Sequence, residues 1–170
     1  MGRPSHGLQI NGHKNMIYWF IGQPGCGKTT LAKRLKKLLD AKGVPAIHLD
    51  GDDLRQIFAV PYTKENLTKE YRIVQTRCLQ RFVAHCANQG VTVIVSTVNP
   101  YREIREQFKI SRTDMREIYV FTKTPRVRGD FHVKDYEEPL ENNIQTIWLD
   151  TTELTEADSF TRLTSQLTLI

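Results

Sequence analysis

A glycine-rich segment near the N-terminus has the residue types and spacing of a phosphate-binding loop. Residues 22–30 read Gly-Gln-Pro-Gly-Cys-Gly-Lys-Thr-Thr, and the first eight match the pattern Gly-x-x-x-x-Gly-Lys-Thr in full. The glycines let the backbone turn so that its N–H groups point inward around phosphate oxygens. Lys28 is placed to reach the β- and γ-phosphates, and the Thr29 hydroxyl to ligate Mg²⁺. We therefore predict an ATP site with Mg²⁺ as cofactor, formed by Gly22, Gln23, Pro24, Gly25, Cys26, Gly27, Lys28, Thr29 and Thr30.

Two acidic residues in the segment His-Leu-Asp-Gly-Asp-Asp-Leu-Arg, residues 48–55, are candidates for the chemical step. Asp50 and Asp52 stand at the carboxyl end of a predicted strand, and in an open α/β sheet that end lines the ligand crevice. One carboxylate could hold Mg²⁺ through water while the other accepts the proton of an attacking hydroxyl, and the spacing leaves the assignment open. The alternative is that one of them caps a helix, which does not exclude catalysis.

The predicted catalytic residues are therefore Lys28, Asp50 and Asp52, and Thr29 with Asp50 is the first choice for the metal site. Arg55, one helical turn beyond the acidic pair, suits an anionic or stacked substrate. The motif that identifies guanine in GTPases, Asn-Lys-x-Asp, does not occur, so a small nucleotide-dependent kinase is the remaining interpretation.

Strands and helices alternate along the chain and must position these residues. Hydrophobic periodicity and end signals predict strands at 16–21, 46–50, 91–95, 117–121 and 146–149, and helices at 31–40, 64–89, 101–108 and 155–167. This alternation predicts an α/β fold of the P-loop NTPase, nucleoside-kinase-like type, with a five-stranded parallel sheet covered by helices on both faces. In the helix at 64–89, Val74, Cys78 and Phe82 recur at the spacing of an apolar face, and His85 and Cys86 are interpreted as packing residues rather than ligands.

Residues 123–143 contain two prolines and many charges without a regular period, which is typical of a functional or mobile loop. We predict a lid there, mobile at 124–134 without ligand and closing over the site. Arg126 and Arg128, with Lys134, are expected to clamp phosphates, and Phe131 to stack on a base. The alternative is an ordinary solvated loop.

Length and composition limit the classes of protein that remain. The 170 residues, 39% hydrophobic and 25% charged, predict a single domain, 1–170, with a polar N-terminal arm at 1–15, and exclude a disordered chain. The longest apolar run, 16–21, is far shorter than the ~20 residues of a membrane span. Three cysteines without paired spacing argue against a disulfide framework or a zinc site and favour the cytoplasm. The net charge of +5 suits an anionic ligand, but it does not by itself favour nucleic acid as a partner.

Three segments, Asn11–Ala32, Leu49–Arg55 and Gly90–Arg102, resemble the adenylylsulfate (APS) kinases, which transfer the γ-phosphate of ATP to the 3′-hydroxyl of adenylylsulfate in sulfate assimilation. The chain differs from the usual family pattern at Asn99, where a serine is common, and in a shorter lid. The resemblance places Asp50 and Asp52 on the family's acidic pair. Together with the lid prediction it implies acceptor binding by Asp52, Arg55, Arg77, Asn99, Arg102, Arg126, Arg128 and Phe131.

These observations lead to the expectation of a kinase that acts on a small anionic, nucleotide-like acceptor, with adenylylsulfate as the first choice. A nucleoside, a sugar or a hydroxymethylated DNA base is the alternative acceptor. A homodimer is also compatible with the sequence. A different class, a nucleotide-binding module without catalysis, is disfavoured because Lys28, Thr29, Asp50 and Asp52 are all intact.

Overall fold

A parallel sheet of five strands lies at the centre of the computed structural model, which describes residues 15–61, 63, 65–124 and 132–167. The strands are β1 (Ile17–Ile21), β2 (Ala46–Asp50), β3 (Thr92–Ser96), β4 (Met115–Phe121) and β5 (Thr146–Asp150). Their order across the sheet is β2-β3-β1-β4-β5, and every neighbouring pair is parallel. The predicted strands are thus confirmed, with ends that shift by at most two residues.

Five α-helices cover the sheet in the described part of the chain: α1 (Lys28–Ala41), α2 (Gly51–Ile57), α3 (Lys69–Asn88), α4 (Arg102–Ser111) and α5 (Glu156–Gln166). A 3₁₀ turn, Glu65–Leu67, precedes α3. The helix α2 was not predicted, because seven residues are too few to show helical periodicity. Only its N-cap was visible in the sequence: Asp50 caps α2 by accepting a hydrogen bond from the Asp52 N–H at 3.0 Å, as the alternative interpretation of this acid required.

The side chains of β1 alternate between two cores, which explains why this strand is apolar throughout. Tyr18 and Phe20 pack with residues of α1 and α5, whereas Ile17, Trp19 and Ile21 pack with residues of α3 and α4. The buried sheet therefore provides a rigid platform, and the loops that leave its carboxyl end are free to form a site. In the described segments, no helix is both long and apolar enough to cross a membrane.

The apolar face predicted for α3 was assigned to the wrong side of the helix. The residues that α3 buries are Gln80, Val83 and Ala87, while Val74 is 59% and Phe82 45% exposed and Cys78 is exposed as well. Val74, Cys78 and Phe82 instead line an open cavity between α2 and α3. Of the two residues interpreted as packing, Cys86 packs against the core and His85 is exposed.

Candidate active site

A cavity of about 1550 Å³ opens at the carboxyl ends of β1, β2 and β3. Its floor is formed by the glycine-rich loop after β1 and by the ends of β2 and β3, and its far wall by α2 and α3. This is the position in which open α/β sheets bind their ligands. The cavity brings together most of the residues that the sequence singled out, so we describe it as the candidate active site.

The glycine-rich loop has the backbone conformation that its composition predicts. Gly22, Gly25 and Gly27 have φ values of 136°, 83° and 99°. Residues other than glycine rarely adopt this backbone conformation. At Gly22 a Cβ atom would also lie 2.1 Å from the Val120 carbonyl oxygen, so no larger residue fits there. The helix α1 begins at Lys28, inside this segment, and its N-terminal N–H groups add to the positive potential at the loop.

Lys28 lies within the loop and is only 8% exposed. Its ammonium group donates a hydrogen bond to the Gln23 carbonyl at 2.8 Å, and it lies 3.7 Å from the Cys26 thiol. Burial lowers the pKa of Lys28, while Cys26, Asp50 and Asp52 act in the opposite direction. Burial also raises the pKa of the Cys26 thiol, so this cysteine is not an activated thiolate.

The carboxylate of Asp50 is fixed in the site by three hydrogen bonds. One carboxylate oxygen, Oδ2, accepts hydrogen bonds from the Thr29 hydroxyl at 2.7 Å and from the Ser96 hydroxyl at 2.6 Å, and Oδ1 accepts from the Asp52 N–H. Burial alone would raise the pKa of Asp50, but the hydrogen bonds from Ser96, Thr29 and Asp52 outweigh it and lower the pKa below its usual value. Asp50 is therefore a carboxylate at neutral pH.

Asp52 differs from Asp50 in its surroundings. It lies in the first turn of α2, is exposed, and lines the cavity beside Arg55, the predicted acceptor-binding arginine. One member of the acidic pair is thus buried against the phosphate loop, and the other faces the cavity. The structure separates the two acids by environment, which the spacing in the sequence could not do.

Asn99 also lines the cavity, at the end of the loop that follows β3. It is 6% exposed and has a φ of 43°, in the left-handed region that asparagine tolerates better than most residues. Its carbonyl accepts a hydrogen bond from the buried Arg105 guanidinium at 2.7 Å, while its own side-chain oxygen has no hydrogen-bond partner among the described residues. The side-chain oxygen of Asn99 is thus a buried acceptor next to the cavity.

Two of the predicted acceptor-binding arginines are not brought to the cavity. The Arg77 guanidinium faces α4 and donates a hydrogen bond to Gln107 at 3.2 Å. Arg102 starts α4, and its Nε donates to the Glu138 carbonyl at 2.6 Å. Neither residue lines the cavity in this conformation. Arg126, Arg128 and Phe131 lie outside the described residues.

A residue of the predicted lid, Val133, contacts the phosphate loop. The Gln23 side chain donates to the Val133 carbonyl at 2.8 Å and accepts from the Val133 N–H at 3.0 Å, so the two residues form a paired contact. Val133 is buried, although it lies within the stretch that we predicted to be mobile. In this conformation Gln23 of the loop thus holds Val133, and the mobility of 124–134 without ligand stays a prediction.

Several residues that line the cavity were missed in the sequence. Ser96, Arg72 and His132 all line the cavity, and Ser96 contacts Asp50 directly. Ser96 could have been identified as the last polar residue of an apolar strand, at the edge where ligands bind. Arg72 gives no such signal, because it is one of several basic residues on a long helix.

The sequence is similar to that of one family of known proteins. The profile of the family described as adenylylsulphate kinase matches residues 14–145. The adenylyl-sulfate kinase of Thermodesulfovibrio yellowstonii is 32% identical over 123 residues, which are 69% of this chain and 57% of that protein. The adenylyl-sulfate kinase of Chloroflexus aurantiacus is 35% identical over 113 residues, 65% of this chain and 56% of that protein. The chain thus spans little more than half the length of these curated relatives.

The fold is also similar to that of a solved APS kinase structure. The Mycobacterium tuberculosis APS kinase, in complex with AMPPNP and APS, aligns with a TM-score of 0.73 at 21% identity and covers 91% of this chain and 98% of that one. This likeness confirms the predicted α/β fold of the P-loop kinases. Because the family profile covers most of the sequence, including both the phosphate loop and the acidic pair, the chain belongs to the adenylylsulphate kinase family.

Proposed function

We propose that the protein transfers the γ-phosphate of ATP to the 3′-hydroxyl of adenylylsulfate. The observation that carries the proposal is the 2.7 Å hydrogen bond between Thr29 and Asp50. Thr29 belongs to the phosphate loop, and Asp50 opens the segment that resembles the acceptor motif of the family. The bond therefore joins a donor site and an acceptor site within one cavity, as direct phosphoryl transfer requires.

The donor phosphates fit the loop between Gly22 and Thr30. Backbone N–H groups and the N-terminus of α1 would surround the phosphate oxygens, and the Lys28 ammonium would exchange the Gln23 carbonyl for a phosphate oxygen. This exchange replaces a neutral partner by an anionic one. Lys28 would then offset negative charge that develops during transfer.

Thr29 and Asp50 fit Mg²⁺ as a cofactor. A hydroxyl and a carboxylate are hard oxygen ligands of the kind that Mg²⁺ prefers, and Asp50 is held in its charged form. These two residues would hold the ion at the mouth of the loop, Thr29 directly and Asp50 through water. When bound, Mg²⁺ supplies charge neutralisation for the phosphates of ATP.

Asp52 is the proposed general base, because it is the acid that faces the cavity. It would accept the proton of the acceptor hydroxyl as that oxygen forms a bond to the γ-phosphorus, while the bond to the bridging oxygen breaks and ADP leaves. Arg55 and Asn99, which both line the cavity, would orient the acceptor. The apolar wall formed by Phe58, Val74 and Phe82 offers a surface for its base.

Labelled ATP tests the proposal directly. The purified protein is incubated with [γ-³²P]ATP, MgCl₂ and one acceptor at a time: adenylylsulfate, a nucleoside, a sugar or a hydroxymethylated oligonucleotide. We expect label on adenylylsulfate, and none with a Lys28→Ala variant. Label on another acceptor alone would overturn the choice of substrate, and ADP formation without a labelled acceptor would overturn acceptor phosphorylation itself.

Two further features belong to the same proposal. The free thiols of Cys26, Cys78 and Cys86 support a site of action in the reducing cytoplasm. A homodimer stays a prediction, which light scattering coupled to size-exclusion chromatography would test.

A further inference from the structure

The imidazole of His48 is joined to the site by a chain of hydrogen bonds. His48 Nε2 lies 2.8 Å from the Ser96 hydroxyl, which lies 2.6 Å from Asp50 Oδ2. His48 and Asp50 are two residues apart in β2 and thus project from the same face of the strand. The register pairs Asp50 with Ser96 of the neighbouring strand, so both side chains converge on one serine.

The direction of these bonds follows from the number of protons available. Asp50 is a carboxylate and can only accept, so the single proton of the Ser96 hydroxyl must point to Asp50. The serine oxygen then has only lone pairs to offer to the imidazole. His48 must therefore donate, which places a proton on Nε2 in every protonation state that keeps this contact.

We propose that His48 is a positioning residue that orients the Ser96 hydroxyl onto Asp50 and thereby shapes the metal-binding carboxylate. Ser96 is buried, and a hydroxyl without a donor beside it is free to rotate toward other acceptors. The N–H of His48 removes that freedom. This inference rests on the proposed function in one respect, since it takes Asp50 as the metal-linked acid.

Orientation of Ser96 is important because Asp50 Oδ2 also accepts from Thr29. A cation bound by the Thr29 hydroxyl would weaken the hydrogen bond from Thr29 to Asp50. The Asp50 carboxylate then depends on its hydrogen bonds from Ser96 and from the Asp52 N–H to keep its position. His48 thus acts on the site through Ser96 without touching ATP or the acceptor itself. His48 is absent from the lining of the cavity, whereas Ser96 is part of it.

The first test is nuclear magnetic resonance of the wild-type protein labelled with ¹⁵N-histidine. Two-bond proton–nitrogen correlations show which ring nitrogen of His48 carries the proton. We expect a protonated Nε2. A neutral ring with its proton on Nδ1 would overturn the proposal, because Nε2 could not then donate to Ser96.

The second test measures the affinity for AMPPNP over a series of MgCl₂ concentrations, without any acceptor. His48→Leu should raise the Mg²⁺ concentration for half-maximal affinity by about five- to tenfold, the effect of losing one neutral hydrogen bond, and Ser96→Ala by at least as much, because it removes a hydrogen bond to a charged carboxylate. The double variant should match Ser96→Ala, since His48 acts only through the serine. His48→Gln, whose amide can donate from a similar reach, should recover most of the loss.

His85→Leu is the matched control, because His85 is an exposed histidine on α3 that does not line the cavity. If His48→Leu behaves like this control, or if its effect adds fully to that of Ser96→Ala, the proposal is wrong. Thermal unfolding of each variant identifies losses that come from misfolding. If the wild-type affinity for AMPPNP depends on Mg²⁺ but no phosphate is transferred to adenylylsulfate, the proposed substrate is wrong and the test of His48 still holds. If the affinity for AMPPNP does not depend on Mg²⁺, both proposals are wrong.

Discussion

Replacing Glu117 by glutamine should destabilise the protein by about 3 kcal/mol, the lower end of the cost of breaking a buried ion pair. Glu117 is fully buried in β4, and its carboxylate pairs with the equally buried Arg105 at 3.2 Å and Lys109 at 2.8 Å. Glutamine keeps the shape but removes the charge, so two cations lose their shared partner. Lys109 still contacts Glu106 at 2.6 Å, which places the cost at the lower end of the range.

Chemical denaturation monitored by circular dichroism measures this change as a difference in the free energy of unfolding. For a chain of this size, about 3 kcal/mol corresponds to a fall in melting temperature of about 6–12 °C. The matched control is Asp40→Asn, which removes the ion pair between Lys36 and Asp40 at 2.6 Å. That pair is as short but exposed, so its loss should cost no more than about 1 kcal/mol. If the two variants lose equal stability, burial does not set the strength of the Glu117 cluster and the reasoning fails.

Three further predictions concern the active site. Lys28→Ala should abolish phosphoryl transfer while the melting temperature stays near that of the wild type; a folded variant with normal turnover would refute the phosphate-loop assignment. Asp52→Asn should lower kcat by about 10²–10⁴-fold with nucleotide affinity preserved, whereas Asp50→Asn should mainly raise the Mg²⁺ requirement; equal effects in both assays would contradict the division between the two acids. Replacing Arg126 and Arg128 together by alanine should raise KM and lower kcat with unchanged stability; unaltered kinetics would make the segment a solvated loop.

The sheet and the phosphate loop could be predicted because both depend on local sequence. Buried parallel strands appear as short apolar runs, and a phosphate loop requires glycine at fixed positions such as Gly22 and Gly27. The limits of prediction appear where a side chain depends on its distant neighbours. Val74 and Phe82 have the spacing of a core face, yet they line a cavity because α2, a helix that was not predicted, stands opposite.

The same reason explains the two arginines that were assigned to the acceptor and lie elsewhere. Arg77 and Arg102 were assigned from matching sequence motifs, which fix their positions on the backbone but not the direction of their guanidinium groups. In the fold, Gln107 and the Glu138 carbonyl are within reach of these groups and accept their hydrogen bonds. Such acceptors lie far along the chain or on another element, so residue types alone do not identify them.

The order of the strands explains why a serine stands at the centre of the site. β1, which carries the phosphate loop, and β2, which carries Asp50, are not neighbours, because β3 lies between them. Asp50 can reach Thr29 only across the end of β3, where Ser96 stands. A large residue at this point would separate the loop from the carboxylate, and an apolar one would leave Asp50 Oδ2 with one donor fewer. A small hydroxyl residue satisfies both requirements, so the strand order itself selects the side chain that joins the donor half of the site to the acceptor half.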